Sequence, residues 1–129
     1  GGSMEYTIFP SDDKKYIIIK TIGDINREDA LTQAVEANSL GKKLGLNKYL
    51  MDLTKSRNRK TGVENFKFVY KDMKNAPDID KKAIVALLVE KGDHSHDFIE
   101  KMSNTTGFKV SLFCDRNKAI EYLTKEKLK

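Results

Sequence analysis

The sequence predicts an α/β fold in which an N-terminal β-hairpin is followed by four β-α units, giving a mostly parallel five-stranded sheet packed with helices. Three observations carry this expectation. Apolar, β-branched runs of strand length recur along the chain, most clearly from Tyr16 to Ile22 and from Ala83 to Val89. Stretches with helical spacing and identifiable caps lie between such runs. No linker, internal repeat or low-complexity segment divides the 129 residues, which is a one-domain length. Gly1-Gly2-Ser3, ahead of Met4, reads as a cloning scar, leaving residues 4–129 as the single domain.

Met4 to Phe9 alternates and is closed by Pro10, Ser11 to Lys14 is turn chemistry, and Tyr16 to Ile22 forms the second arm of the hairpin. Gly23-Asp24-Ile25-Asn26 is expected to break that strand. Asn26 then caps a helix whose inward face is Leu31, Ala34, Val35, Ala37, Gly41 and Leu44, with Gly45 ending it in the left-handed conformation. Tyr49 to Leu53 is the third strand, and residues 54–61 read as a basic loop. Thr61 and Glu64 have the spacing of a capping box for a helix carrying Phe66, Val69, Tyr70 and Met73, which Asn75-Ala76-Pro77 stops. Ala83 to Val89 is apolar throughout, as a strand covered on both faces is, and is expected at the sheet centre. A helix with Phe98, Ile99 and Met102, a strand from Phe108 to Phe113 and a helix capped by Asp115 complete the order, and the tail from Lys125 to Lys129 is expected to fray.

Composition narrows the function classes. No apolar run is long enough to span a membrane, Met4-Glu5-Tyr6-Thr7 does not open a secretory signal, and one cysteine provides no internal disulfide. A cytoplasmic location is the expectation. Lys and Arg number 24 against 19 acids, a net charge of +5. Most of these cations are spread along helix faces without interleaved aromatics, so nucleic-acid binding is not favoured. The dense exception is Lys55-Ser56-Arg57-Asn58-Arg59-Lys60, four cations in six residues.

Four places could carry chemistry. Asp93-His94-Ser95-His96-Asp97 contains the only two histidines, and it reads as a solvated helix start, not a metal centre, because no third ligand is evident. Cys114 reads as a small, partly buried, inert residue. Lys60-Thr61-Gly62 and Ser39-Leu40-Gly41-Lys42 match penicillin-recognising enzymes only by coincidence, since the chain is too short for that fold. With no other catalytic motif, the sequence leans away from an enzyme, and no cofactor is called for. The basic loop is best placed. It leads into a helix start where parallel sheets gather ligands, so Arg57, Arg59, Lys60, Thr61 and Gly62 form the candidate anion- or partner-binding site.

The order of elements resembles the STAS domains, the anti-sigma-factor-antagonist fold, and in particular the small stand-alone STAS-like proteins grouped with the Sec14-type fold. The resemblance runs from Tyr6 to about Leu123 and rests on three stretches. They are Ile18-Ile19-Lys20-Thr21-Ile22-Gly23-Asp24-Ile25, Tyr49-Leu50-Met51-Asp52-Leu53-Thr54, and the close formed by Gly107 to Phe113 with Asp115 and Ala119-Ile120-Glu121-Tyr122-Leu123. It implies a non-enzymatic, regulatory or protein-interaction domain of bacterial type. In regulatory members a serine before a glycine at the second helix is phosphorylated by a partner kinase. Thr61 before Gly62 falls at that place and is the candidate phosphoacceptor, although cations replace the family's acidic and apolar residues before it. The first alternative is a Sec14-like carrier of a small molecule or lipid, which needs an apolar cavity lined by Phe66, Tyr70, Phe98 and Phe108. The second is an enzyme combining His94 or His96 with Cys114. A protein partner, an anionic small ligand and a homodimer through an edge strand such as 4–9 are the expected associations.

Overall fold

Two strands joined by a tight turn open the chain: β1 (Glu5–Pro10) and β2 (Ile17–Ile25). The Ser11 hydroxyl holds the turn by accepting from the amides of Lys15 and Tyr16 while donating to Asp13 at 2.6 Å. Helix α1 (Arg27–Leu44) follows, capped by Asn26, whose Oδ1 accepts from the Asp29 amide, and ended by Gly45 at φ 71°. Then come β3 (Lys48–Asn58), α2 (Gly62–Lys67) running on into a π-helical stretch, Phe68–Met73, β4 (Ile84–Leu88), α3 (Asp97–Thr105), β5 (Lys109–Phe113) and α4 (Arg116–Thr124). This computed structural model describes residues 4–125. The expected scar at 1–3 and residues 126–129 of the expected frayed tail lie outside that range.

The sheet order is β1-β2-β3-β4-β5, the order of the chain itself, with β1 antiparallel to β2 and every other pair parallel. One face carries α1, the α2–π segment and α3; α4 alone packs on the other, over β3, β4 and β5. Strand alternation divides the core accordingly. Leu50, Ala86 and Leu88 meet Ala119 and Leu123 of α4, whereas Leu53, Leu87 and Val89 meet Ile99 beneath α3. Helix α1 is pinned by polar contacts as well, one buried and one partly so. The Thr21 hydroxyl donates to Gln33 Oε1 at 2.6 Å, and Arg27 grips Asp72 of the π-helical stretch through two nitrogens at 2.6 and 2.8 Å.

The expected class, hairpin and caps are all present, and several boundaries move. Strand β2 does not break at Gly23; it runs to Ile25, because β3 continues to Asn58 and pairs Gly23 with Ser56, Asp24 with Arg57 and Ile25 with Asn58. Most of the expected 54–61 loop is therefore strand. A β-bulge hides it from the sequence: Lys20 faces Asp52 but Ile22 faces Lys55, so Leu53 and Thr54 share the place opposite Thr21 and the inward period slips by one. Beyond the bulge Ser56 and Asn58 are buried while Lys55 and Arg57 are exposed. The middle strand is β3, and β4 lies between it and the edge strand β5. Leu44, Phe66 and Phe98, expected inside, are exposed. The wider π-helical turn rotates Phe68 and Val69 inward in place of Phe66.

Candidate functional site

The carboxyl ends of β3 and β4 meet the starts of α2 and α3, and a buried polar network ties them together. Asn58 donates from Nδ2 to Asn65 Oδ1 at 3.0 Å and accepts at Oδ1 from the Lys60 amide at 3.0 Å. Its own amide donates to the Ser95 hydroxyl at 3.0 Å, and the Ser95 amide donates to Asp93. His96 is buried, with Nε2 3.0 Å from the Ser56 carbonyl and 3.6 Å from Asp93. Burial pushes the imidazole pKa down, against the opposing pull of the Ser56 carbonyl and Asp93, so the ring is neutral at pH 7 and donates its Nε2 proton to the carbonyl. Burial raises Asp93, but the Ser95 hydrogen bonds, His96 and Arg57 outweigh it and leave the carboxyl below its ordinary value. The histidine segment is thus a buried structural joint at Asp93 and His96, not a solvated helix start; His94 and Asp97 are exposed and pair with each other at 2.9 Å.

The sequence-predicted cations do not converge. Arg57 stands exposed on β3, and Arg59 is exposed and pairs with Asp24 at 3.3 Å. Lys60 turns the other way, half-buried, with Nζ 5.3 Å from the centre of the Phe68 ring. Thr61 and Gly62 are exposed at the start of α2, where the capping box is complete: the Thr61 hydroxyl accepts from the Glu64 amide at 3.1 Å and Glu64 accepts from the Thr61 amide at 3.0 Å. On the same helix Val63 and Phe66 are 65% and 53% exposed, and Phe66 stacks on Tyr70 with ring centres 4.6 Å apart. Cys114 is exposed instead of partly buried, because β5 has ended and α4 has not begun. Neither histidine bonds it, since His94 pairs with Asp97 and His96 with Ser56. Among the described residues no group of three or more His, Cys, Asp and Glu side chains could hold a metal ion.

An apolar cavity of about 130 Å³ lies between the sheet and α1, the π-helical stretch and α3. Ala30, Ala34 and Ala37 of α1 leave it open, and Met51, Phe68 and Ile99 are among the larger side chains around it. Of the four aromatics expected to line a cavity, only Phe108 does so; Phe68 takes the place expected of Phe66. Lys60 and His96 line the end nearest the strand termini, and Asn38, Asp80 and Lys109 the opposite end. Sequence reading missed Asn58, Asn65 and His96 as one network, and the Ser56–Asn58 alternation was the available signal.

No protein-family profile matches the sequence, and a search of curated proteins finds no match. Among solved structures, the chain is similar to an uncharacterized protein of the DUF3478 family with a SpoIIAA-like fold from Shewanella loihica PV-4, at 18% identity and a TM-score of 0.56 over 93% of each chain. It is also similar to an anti-sigma factor antagonist from Mycobacterium paratuberculosis, at 12% identity and a TM-score of 0.59 over 94% of each chain. The fold is SpoIIAA-like, that of the STAS domains. Within this STAS-like frame the closing stretch of the resemblance has a packing reason. Ala119 and Leu123 have no exposed surface and seal the α4 side of the sheet, and Phe113 meets Tyr122 with ring centres 5.2 Å apart.

Proposed function

We propose that the chain is a regulatory protein-interaction domain that docks its partner on the exposed surface of α2, with Arg57 and Arg59 exposed on the segment that leads into it. The observation that carries this reading is the pair Val63 and Phe66, two large apolar side chains more than half exposed one turn apart on the helix. The exposed arginines of that segment suit a partner with acidic groups beside an apolar patch. Support from the fold is general: one similar structure is an anti-sigma factor antagonist, and the resemblance implies protein partners. Thr61 is the candidate phosphoacceptor, but its hydroxyl already caps α2 and the Glu64 carboxylate sits over its amide, where a phosphate would be repelled. We therefore read the surface as docking without a phosphorylation switch, in the cytoplasm.

The test is affinity purification from the source organism with quantitative comparison of three proteins: wild type, Arg57→Glu with Arg59→Glu, and Val63→Ser with Phe66→Ser. The expected result is one stoichiometric partner whose binding falls at least tenfold with either pair of changes, at unchanged melting temperature. A partner held equally by all three proteins sinks the assignment. A second association is proposed on a separate observation. Helix α4 leaves the β1–β2 end of its sheet face with Phe9 and Ile22 each 42% exposed beside the edge strand, a surface suited to a homodimer.

A further inference from the structure

The cavity beneath α1 combines three features that share one chemical complement. Its wall is almost wholly aliphatic and aromatic, so water gains few partners inside it. Its volume, about 130 Å³, approaches that of engineered apolar cavities of about 150 Å³ that hold benzene-sized guests. Lys60 lines one end, its ammonium 5.3 Å from the centre of the Phe68 ring on the same wall and in none of the ion pairs among the described residues. The nearby Glu64 carboxylate is occupied on the Thr61 amide. The other charged groups on the wall, Asp80 and Lys109, lie at the amino ends of β4 and β5, away from Lys60.

We propose that this cavity binds a small apolar monocarboxylate, its body filling the space between α1, the π-helical stretch and the sheet, and its carboxylate paired with the Lys60 ammonium. Position supports this, since Lys60 follows the carboxyl end of β3, where parallel sheets place ligands. Desolvation supports it too. Burial lowers the Lys60 pKa to about 8, the signature of a cation taken from water without a full counter-charge, and a ligand carboxylate supplies that charge. His96, neutral beside it, adds no competing charge. The proposal is independent of the α2 docking surface: it uses the inner side of the same segment and stands or falls separately.

Sodium hexanoate and its neutral counterpart, hexan-1-ol, distinguish the outcomes in a methyl-detected NMR titration of the whole protein. Hexanoate is expected to shift the methyls of Met73, Val85 and Ile99 saturably and to bind at least tenfold more tightly than hexan-1-ol. Lys60→Met should remove that preference while leaving hexan-1-ol binding in place. Raising the pH from about 7 to about 9.5 should have the same effect on wild type, as Lys60 loses its proton. Ala34→Leu, which fills the space, should abolish both; if that variant does not fold, the wild-type methyl shifts decide. No cavity shifts at tens of millimolar hexanoate, equal binding of acid and alcohol, or unchanged hexanoate binding by Lys60→Met would each overturn the proposal. Loss of partner binding by the Arg57 and Arg59 changes, with hexanoate binding intact, would leave it standing.

Discussion

His96 illustrates how much one buried side chain contributes. It joins α3 to the end of β3 through the Ser56 carbonyl, and it does so neutral. In the unfolded chain the same imidazole takes up a proton below its ordinary value of 6.5, whereas in the fold burial holds its pKa lower. The unfolded state therefore binds more protons just below pH 6.5, and stability falls as the pH drops from there through the folded pKa, after which this contribution levels off. Asp93, also depressed in the fold, adds a further loss in the same direction at lower pH. Urea unfolding of wild type should thus show declining stability below about pH 6.5. His96→Gln should be less stable at pH 7 by about 1–3 kcal/mol, since it disturbs a buried hydrogen bond, yet show a flatter profile between pH 5 and 6.5. A profile in the variant as steep as in wild type would remove His96 from the account. Few of these properties were legible beforehand. Two histidines among aspartates at a helix start look solvated, and only the extension of β3 to Asn58 brings a carbonyl over the ring.

At the level of the element, α1 is governed by how closely it approaches the sheet. Gly41 is buried with the Tyr49 hydroxyl and the Leu46 carbonyl against it; a Cβ there would overlap the hydroxyl and stand 2.7 Å from the carbonyl oxygen. Gly41→Ala should force α1 away from β3 and cost about 1–3 kcal/mol in denaturant unfolding, despite alanine's better helix propensity. Equal or greater stability would mean that the approach is looser than described. Small residues at Ala34, Ala37 and Gly41 were legible as a face that sits near a sheet; Ala30, which joins the two alanines on the cavity wall, was not. The space that the three alanines leave was not, because a void depends on what stands opposite, here Met51 and the π-helical turn. Elements whose pattern is local, such as the capping box at Thr61 and the Asn26 cap, were read correctly for the same reason. Those set by a neighbour, such as the last residues of β2 and β3, were not.

For the molecule as a whole, the unequal covering of the two sheet faces is the property with the widest reach. Three helical segments cover one face and a single nine-residue helix the other. The exposed Phe9 and Ile22 lie on the thinly covered side, since Phe9 pairs with Ile18, Glu5 with Ile22, and Ile18 packs toward Leu50 and α4. Sedimentation equilibrium in the high micromolar range should give a dimer mass that Phe9→Ser with Ile22→Ser reduces to the monomer. A wild-type protein that stays monomeric there ends the proposal. The alternation of strands and helices was readable from the sequence, because each period is set within a dozen residues. Which face stays bare was not, since it depends on where the final helix lands.

That final helix also fixes when the fold is completed. Because the strands are made in the order in which they pair, each new β-α unit emerging during synthesis finds a finished edge to join, and no strand waits for a distant partner. The side of the sheet holding Leu50, Ala86 and Leu88 cannot close by this stepwise growth. It stays open until Ala119 and Leu123 arrive. The emerging chain thus carries an uncovered apolar surface until α4 has formed, and α4 is the latch that ends its exposure to chaperones and to other unfinished chains.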